Sequence, residues 1–364
     1  MDIKELRLRI NEIDKEMASL FEKRMEVARL IAEYKKENAI PIFDKKREEE
    51  LIKTNSELIQ DPAIRSYYIN FLKSVMEESK KYQSLIIKGM KVAYSGVPGA
   101  FAHIAAKKMY PDSEYIAYPD FQSAYKACEN GEVDAVVLPV ENSFAGDVGV
   151  VLDLIFQGSL YINQMLDLEI VQNLLAIKGS KVENIKKVYS HQQALFQCND
   201  YIIKHGFERV ECSNTAIAAQ EVARLNNPQI AAIGSALTAE LYGLEIISSH
   251  INTSNSNSTR FASFSRTARV PDKENKMGEH FVLVYTVHNR AGALAETLNI
   301  IGSHNFNMRN VRSRPMKELM WNYYFYVEIE GNVNSNDGED VINELKGVCD
   351  RLKLVGTYYE FKEN

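Results

Sequence analysis

The chain has 364 residues, too many for one ordinary hydrophobic core, so two or three domains are expected. Its 45% hydrophobic and 25% charged residues are typical of a soluble globular protein, and a net charge of −6 without a basic block argues against nucleic acid or an anionic membrane as the main partner. No apolar run approaches the roughly 20 residues that span a bilayer, and the charged N-terminus does not resemble a signal peptide, so a cytoplasmic protein is predicted.

The first region, residues 1–86, contains no glycine and is predicted to be an all-α domain. Apolar residues recur every three or four positions along its first helix, and Arg24 continues that stripe with Lys35 at its end. A later helix runs with the same spacing into Ser79 and Gln83. Long basic side chains often lie on an apolar face with their charged ends in solvent.

A middle helix adds Asp44 and Glu48, spaced i,i+4, with Arg47 beside them. Charged and polar residues on the apolar faces of three helices indicate a site, because a buried charge is costly unless it is paired. Cations, donors and carboxylates together suit a small dianion that carries a hydroxyl. Arg7 lies about 25 Å from Arg24 along a straight helix, so it can reach such a ligand only in a second chain, and a dimer is predicted.

Residues 90–268 alternate short β-branched runs with helical patterns, which predicts an α/β domain of two lobes with a cleft. Four segments place small polar residues between a strand and a helix, where exposed N–H groups can bind carboxylates. They are "VAYSGVPGAFAHIAA", "VYSHQQALFQC", "VECSNTAIAAQEVA" and "AAIGSALTAELYG". Each such turn alone is more often only a helix cap. In "LPVENSFAGDVG", Glu141 and Asn142 directly follow a buried-type strand, where α/β sheets bind ligands.

The last region, residues 278–364, follows a polar linker at 270–280 and gives strand, helix, strand, strand, helix, strand. That order predicts a small ferredoxin-like α+β module. The four cysteines lack the spacing of zinc ligands, so neither a metal nor another cofactor is expected. The whole chain is therefore predicted to be multidomain.

These patterns resemble a known family. Residues 1–86 resemble the all-helical chorismate mutase domain through "EKRMEVA", "EYKKE", "FDKKREE" and "EESKKYQ". The remainder resembles prephenate dehydratase with its ACT regulatory domain. Together they look like the bifunctional chorismate mutase–prephenate dehydratases of phenylalanine biosynthesis. The resemblance implies chorismate and prephenate as substrates and L-phenylalanine as feedback inhibitor.

For the mutase, the resemblance implies that Arg24 and Arg7 of a second chain hold the two carboxylates of chorismate. Lys35 and Gln83 would hydrogen-bond the ether oxygen. The remaining members of the predicted set would complete the site: Glu48 at the ring hydroxyl or ether region, Ser79 behind a carboxylate, and Asp44 and Arg47. A Claisen rearrangement needs no nucleophile or metal, because preorganised donors stabilise the charge that develops on the ether oxygen.

For the dehydratase, "NSTRF" resembles the Thr-Arg-Phe signature of the family. Thr259 would donate a proton to the leaving ring hydroxyl, or position the donor. Arg260 would bind a carboxylate, and Phe261 would anchor the strand and line the substrate site. The resemblance implies further residues around the same substrate: Glu141, Asn142 and Gln193 beside the reacting group, and Ser213, Asn214 and Thr215 holding the substrate. His191 stands at a helix start, where a histidine is more often a cap than a base.

The sequence departs from the usual family motifs in the dehydratase region and in the ACT region, and these departures leave alternatives open. Gln192 replaces the proline usual in the family, and "GVPGAFA" is closer to arogenate dehydratases, so L-arogenate is an alternative substrate. In the ACT region, Gly292, Ala293 and Leu294 resemble the turn that binds phenylalanine, and Ser313, Arg314 and Pro315 resemble the second motif, usually Glu-Ser-Arg-Pro. Arg312 replaces that glutamate.

Two alternative functions also stay open. The C-terminal module could serve only dimer contacts, and the chain could be a non-catalytic sensor of aromatic metabolites. A homo-oligomer, dimer or tetramer, is expected.

Overall fold

The computed structural model describes residues 2–38, 40–254, 257–269, 279–316 and 322–359. Most of the predicted linker at 270–280 therefore lies outside the described residues. The chain divides into two compact units, Met1–Met90 and Lys91–Asn364, which we call the helical unit and the sheet unit.

The helical unit contains α1 (Ile3–Glu37), α2 (Lys45–Ser56) and α3 (Pro62–Lys88). Each helix begins at an aspartate whose carboxylate accepts a backbone N–H of the first turn: Asp2, Asp44 and Asp61. The predicted inward face of α3 is confirmed, because Leu72 and Met76 are buried together with the polar residues that follow them.

The apolar stripe of α1 is exposed in a single chain. The stripe residues Leu6, Ile10 and Leu20 are 42%, 58% and 63% exposed, whereas an ordinary amphipathic helix buries this face. The buried positions of α1 within the described residues are Ala28 and Ala32, near its C-terminal end. The predicted stripe therefore exists, but the other helices of its unit cover little of it.

The sheet unit begins with two α/β lobes, as predicted. The first lobe contains β1 (Lys91–Ser95), α4 (Phe101–Met109), β2 (Glu114–Tyr118), α5 (Phe121–Glu129), β3 (Ala135–Asn142), β4 (Gly146–Asp147), α6 (Gly149–Gln157), β5 (Tyr161–Glu169) and the returning β11 (Ser258–Ser265). The second lobe contains β6 (Asn173–Ala176), β7 (Lys187–His191), α7 (Gln192–Gln197), α8 (Asn199–His205), β8 (Glu208–Cys212), α9 (Thr215–Leu225), β9 (Ile230–Gly234), α10 (Ala236–Tyr242) and β10 (Glu245–Ser248).

The strand orders show how the chain connects the two lobes. The second lobe has the order β10-β6-β9-β7-β8, and the first lobe has β5-β11-β3-β1-β2. In the first lobe, β1 runs parallel to β2 and β3, whereas β11 lies antiparallel between β3 and β5. The chain thus leaves the first lobe after β5, builds the second lobe, and returns through β11.

The C-terminal module has the predicted ferredoxin-like order. Its elements are β12 (Glu279–Val287), α11 (Ala293–Ser303), β13 (Asn307–Pro315), β14 (Tyr323–Glu330), α12 (Asn336–Val348) and β15 (Cys349–Tyr359). Its strands are arranged β13-β14-β12-β15. The sheet continues into the first lobe because β15 pairs in parallel with β5, with Gly356 opposite Ile162.

The two faces of the C-terminal sheet are covered differently. Phe281 and Tyr285 point to the side of α11 and α12, in one hydrophobic cluster. The alternating residues Val282 and Val284 point to the other side, into the core of the first lobe, together with Tyr326. Burying a large apolar side chain contributes about 1.5–3 kcal/mol, so this shared core joins the module firmly to the lobe.

Basic residues of β15 bind the C-terminal end of α6. Lys353 Nζ donates to the carbonyl oxygens of Ile155 and Gly158, at 2.9 and 2.5 Å. Burial lowers the pKa of Lys353 to about 8. A cation at this end complements the helix dipole, so the module holds α6 from its C-terminus.

The contact between β15 and β5 requires a glycine. A Cβ added at Gly356 would collide with the backbone of Ile162. We expect Gly356→Ala to lower the free energy of unfolding of the sheet unit by about 2–3 kcal/mol in urea denaturation.

Gly347→Ala in α12 is the matched control, because nothing lies near an added Cβ there. Its better helix propensity should raise the same free energy by about 0.5–1 kcal/mol. Equal effects of the two substitutions would show that the β15–β5 contact contributes nothing to stability.

Candidate active sites

A cleft of about 540 Å³ lies between the two lobes of the sheet unit. The first residues of α4, α6, α7 and α9, or the caps before them, line it: Ala100, Val148, His191 and Asn214. Helix N-termini present unpaired N–H groups and a positive dipole end. No Lys or Arg side chain lines the cleft among the described residues, so backbone dipoles and polar side chains dominate its attraction for anions.

Three of the four turns predicted to bind carboxylates reach this cleft, and the fourth does not. The turn before α10 supports the turn before α4 instead, because Ser235 Oγ and Thr238 Oγ1 both hydrogen-bond the Gly99 carbonyl oxygen. The N-terminus of α6 is the fourth helix N-terminus that lines the cleft.

Asn142 and Thr259 form the polar centre of the cleft. They are register partners of β3 and β11, and both are buried. Asn142 Oδ1 accepts the backbone N–H groups of Phe144 and Ala145, at 3.0 and 2.9 Å. This fixes the orientation of the amide, so the Nδ2 group must be the donor to Thr259 Oγ1, at 2.8 Å.

The direction of this hydrogen bond determines where the Thr259 proton can go. Because Thr259 Oγ1 accepts from Asn142, its own O–H is left to donate elsewhere, and Thr259 lines the cleft. A hydroxyl held in this way can donate to a leaving oxygen in the cleft.

The other predicted residues of this cleft are brought together around that centre: Gln193, Ser213, Asn214, Thr215 and Phe261. Gln193 Nε2 lies 3.5 Å from Asn142 Oδ1. Asn214 Oδ1 accepts the Ala216 N–H and caps α9. His191 Nδ1 accepts the Gln193 N–H, so His191 is a helix cap, as the more common behaviour of such histidines predicts.

Glu141 and Arg260 are corrections to the sequence-based site. They pair with each other in the β3–β11 register, one position from Asn142 and Thr259, so they lie on the opposite face of the sheet. Arg260 binds Asp167 through two hydrogen bonds of 2.7 and 3.0 Å and reaches Glu328 of β14 at 3.2 Å. The hydrogen bond with Asp167 raises the pKa of Arg260 and lowers that of Asp167.

Two cleft residues were missed from the sequence. Gln172 is 2% exposed and donates through Nε2 to Gln197 Oε1, at 3.3 Å, while its own Oε1 has no hydrogen-bond partner among the described residues. Asp147 lines the cleft from β4. Gln172 follows β5 and belongs to no recognisable motif. Asp147 lies within "LPVENSFAGDVG", but that segment predicted only Glu141 and Asn142 as site residues.

The helical unit brings part of its predicted set together. Arg24 Nη1 donates to Ser79 Oγ, and burial lowers the pKa of Arg24. Lys35 Nζ donates to the Ile42 carbonyl oxygen at 2.7 Å. Gln83 is 9% exposed, and its Oε1 has no partner among the described residues. Buried polar groups are normally hydrogen-bonded, so Gln83 Oε1 is an acceptor open to a further hydrogen bond.

The remaining predicted mutase residues have other surroundings in one chain. Glu48 pairs with Lys80, at 3.0 Å, and Asp44 caps α2 by accepting the Arg47 N–H. Arg47 is exposed, as is Arg7, which lies near the N-terminus of α1.

The C-terminal module carries a smaller cavity of about 160 Å³ at the start of α11. Ala293 and Leu294 line it, and Gly292 caps α11 in the left-handed region at φ 82°. Tyr323 and Phe325 of β14 line the same cavity, and their register partners are Pro315 and Ser313.

Arg314 is a further correction. It alternates with Ser313 and Pro315 along β13, so it lies on the opposite face of the sheet. There Arg314 Nε binds Asp153 of α6 at 3.0 Å, and Tyr324 donates to the same carboxylate at 2.8 Å. The hydrogen bond with Asp153 raises the pKa of Arg314.

Neither a metal centre nor a membrane helix is found in the parts of the chain that the structure describes. No group of three or more His, Cys, Asp or Glu side chains there could hold a metal ion. None of the described helices is long and apolar enough to cross a membrane.

Three family models match the chain in succession: "Chorismate mutase type II" at residues 6–84, "Prephenate dehydratase" at 92–269 and "ACT domain" at 280–349. A bifunctional chorismate mutase/prephenate dehydratase of Enterobacter agglomerans is 30% identical, over 97% of this chain and 95% of that protein. Arogenate dehydratase 2 of Petunia hybrida is 32% identical, over 74% of this chain and 71% of that protein.

A solved structure has the same fold. The prephenate dehydratase from Arthrobacter aurescens, in complex with L-Phe, matches with a TM-score of 0.69 and 27% identity, over 74% of this chain and 90% of that one.

The Asn142–Thr259 hydrogen bond can be reversed by one substitution. In Asn142→Asp the carboxylate has no N–H, so the Thr259 hydroxyl should turn and donate to it. For prephenate dehydration, the reaction that the sequence resemblance implies for this cleft, we expect kcat to fall about 10²–10³-fold in a stopped assay of phenylpyruvate.

Asn163→Asp is the matched control, because Asn163 Nδ2 likewise donates to a hydroxyl of β11, Ser265 Oγ at 2.7 Å, away from the cleft. It should change kcat little. A kcat of Asn142→Asp within tenfold of the unmodified protein would mean that the direction of the Thr259 hydroxyl does not matter.

Proposed function

The chain belongs to the family of bifunctional chorismate mutase/prephenate dehydratases, and we propose that the residues described above perform its two reactions at two separate sites. The protein is an enzyme of phenylalanine biosynthesis. It rearranges chorismate to prephenate and converts prephenate to phenylpyruvate, under feedback control by L-phenylalanine.

In the mutase site, Arg24 binds one carboxylate of chorismate, supported by Ser79. Lys35 uses one N–H for the Ile42 carbonyl and keeps two for the substrate, and Gln83 would donate through Nε2, while its Oε1, without a partner among the described residues, is left to accept. These donors face the ether oxygen, where negative charge develops as the C–O bond breaks. Glu48, paired with Lys80, stands at the ring hydroxyl.

In the dehydratase site, prephenate loses CO₂ from its ring carboxylate and its ring hydroxyl leaves, so the ring becomes aromatic. The helix N-termini of α4, α6 and α9 hold the carboxylates. Thr259 donates its hydroxyl proton, or a strengthening hydrogen bond, to the departing oxygen. The observation that carries this assignment is the Asn142 amide, which donates to Thr259 Oγ1 and leaves the Thr259 proton for the substrate.

L-arogenate is a second candidate substrate. It carries an ammonium group where prephenate has a keto oxygen, and the buried Gln172 Oε1 is an acceptor without a partner among the described residues. An ammonium group would satisfy that acceptor, whereas a keto group would not. The similarity to the Petunia arogenate dehydratase supports the same alternative.

The proposed effector site is the cavity at the start of α11. The backbone N–H groups after Gly292 would bind the carboxylate of phenylalanine, and the Ser313 and Pro315 face of β13 lies across from them. The L-Phe complex of the Arthrobacter aurescens enzyme supports this effector.

The experiment that tests the two-site assignment measures products from chorismate, prephenate and L-arogenate, each with and without phenylalanine. Phenylpyruvate should form from the first two and be suppressed by phenylalanine. Lys35→Ala should lower chorismate turnover by about 10²-fold or more and spare prephenate turnover, and Thr259→Ala should do the reverse.

Loss of both activities in either variant would contradict the two separate sites. Phenylalanine formed from L-arogenate, with prephenate accumulating from chorismate, would assign the second reaction to arogenate. An unmodified protein that turns over none of the three would be a sensor.

The proposed assembly is a homodimer through α1. Its apolar stripe, exposed from Leu6 to Leu20, requires a partner surface, and a second copy would bring Arg7 to the mutase pocket of the first. Mixing inactive Arg7→Ala chains with inactive Lys35→Ala chains should then restore mutase turnover to about one quarter of normal, because half of the dimers contain one intact site.

Lys35→Ala mixed with Gln83→Ala is the control for subunit exchange. Both residues belong to the same half of the proposed site, so every mixed dimer keeps two defective sites and no turnover should return. Equal recovery in the two mixtures, or none in the first despite demonstrated mixed dimers, would contradict the shared site.

A further inference from the structure

Arg312 lies in the C-terminal module and binds the hairpin whose other face lines the dehydratase cleft. It occupies β13, its side chain is 9% exposed, and its guanidinium lies 5.7 Å from the ring of Tyr326. Its Nη2 binds Glu141 Oε2 at 2.5 Å, and its Nε binds Asp147 Oδ1 at 2.9 Å. A single guanidinium thus bridges two carboxylates of the first lobe.

The two carboxylates are opposite each other on the β3–β4 hairpin, residues 135–147. Glu141 pairs with Asp147, and the next pair is Asn142 with Gly146. Like charges directly opposite in a sheet repel one another. Arg312 removes this repulsion, and the turn that it steadies supplies the Phe144 and Ala145 N–H groups that fix the Asn142 amide.

Arg312 also changes the charge of the cleft. Asp147 lines the cleft, which has no Lys or Arg of its own among the described residues. Asp147 is the register partner of Glu141, so both carboxylates lie on the outer face of the hairpin, and an unpaired charge this near the cleft would repel a dianionic substrate. The glutamate that the family motif usually carries at position 312 would add a third carboxylate beside the two, so arginine is the residue type that this hairpin requires.

We propose that Arg312 is a positioning residue of the dehydratase cleft: it neutralises Asp147 and Glu141 and thereby holds the hairpin that carries Asn142. The proposal rests on the proposed function, because it assumes that the substrate of this cleft is a dianion. It gives a residue of the C-terminal module an indirect part in substrate binding by the first lobe, through the hairpin.

The test measures KM and kcat for prephenate in Arg312→Gln. We expect KM to rise about tenfold, since the substrate then meets an unpaired Asp147, and kcat to fall less. Arg312→Lys keeps the charge without the two-pronged geometry and should stay within about threefold of the unmodified KM. Urea denaturation of the sheet unit monitors folding of each preparation, because the mutase lies in the other compact unit.

The double variant Asp147→Asn/Arg312→Gln separates this role from simple packing. It removes Arg312 together with Asp147, the carboxylate of the cleft residue, and leaves only Glu141 unneutralised, so KM should return to within about threefold of the unmodified protein. A lost packing contact would not be repaired by a second deletion. Arg309→Gln removes another arginine of β13, which lies near Glu328 and Glu330 instead, and should leave KM unchanged.

An unchanged KM in Arg312→Gln, or a double variant as impaired as the single one, would overturn the proposal. These outcomes are distinct from failure of the proposed function, in which the unmodified protein would not turn over prephenate at all.

Discussion

A sheet with helices on one face only must cover its other face, and this requirement organises the whole sheet unit. In the C-terminal module, α11 and α12 cover one side, and the first lobe with α6 covers the other. Several polar groups on that second side are removed from water, so each of these needs a partner. Glu328, 1% exposed, is bound by Arg260 and Tyr358, and Asp153 is bound by Arg314 and Tyr324. The apolar contact therefore explains why ionic contacts are concentrated at this boundary.

Those ionic contacts join elements that line the cleft to the module. Strand β11 is held through Arg260, the β3–β4 hairpin through Arg312, and α6 through Arg314. The same strand, β13, presents Ser313 and Pro315 towards the proposed effector cavity. Alternate residues of one strand thus face the proposed effector cavity and the elements of the first lobe that line the cleft, which gives feedback control a short physical route.

The sequence predicted the order and type of the elements well, because hydrophobic periodicity and turn residues are local properties. It predicted side-chain direction poorly within a motif. Thr259 and Arg260 are adjacent in one signature, yet strand alternation turns them to opposite faces, and only the pairing with Asn142 and Glu141 reveals which face is the cleft. The same alternation separated Arg314 from its neighbours. Gln172 gave no signal at all, since its position depends on how the second lobe folds back. The apolar stripe of α1 was recognised from its spacing, and a second chain was inferred from the distance between Arg7 and Arg24, but the exposure of the stripe was not predicted.

The shared core of the dehydratase and the C-terminal module also limits how this chain can have changed over evolution. The helical unit is compact by itself, so a recombination event near residue 90 would leave the core of each unit whole. A break between β11 and β12 would expose Val282, Val284 and Tyr326 and leave Glu328 without Arg260. The mutase is therefore an exchangeable part of the gene product, whereas the dehydratase and its regulator must be inherited together.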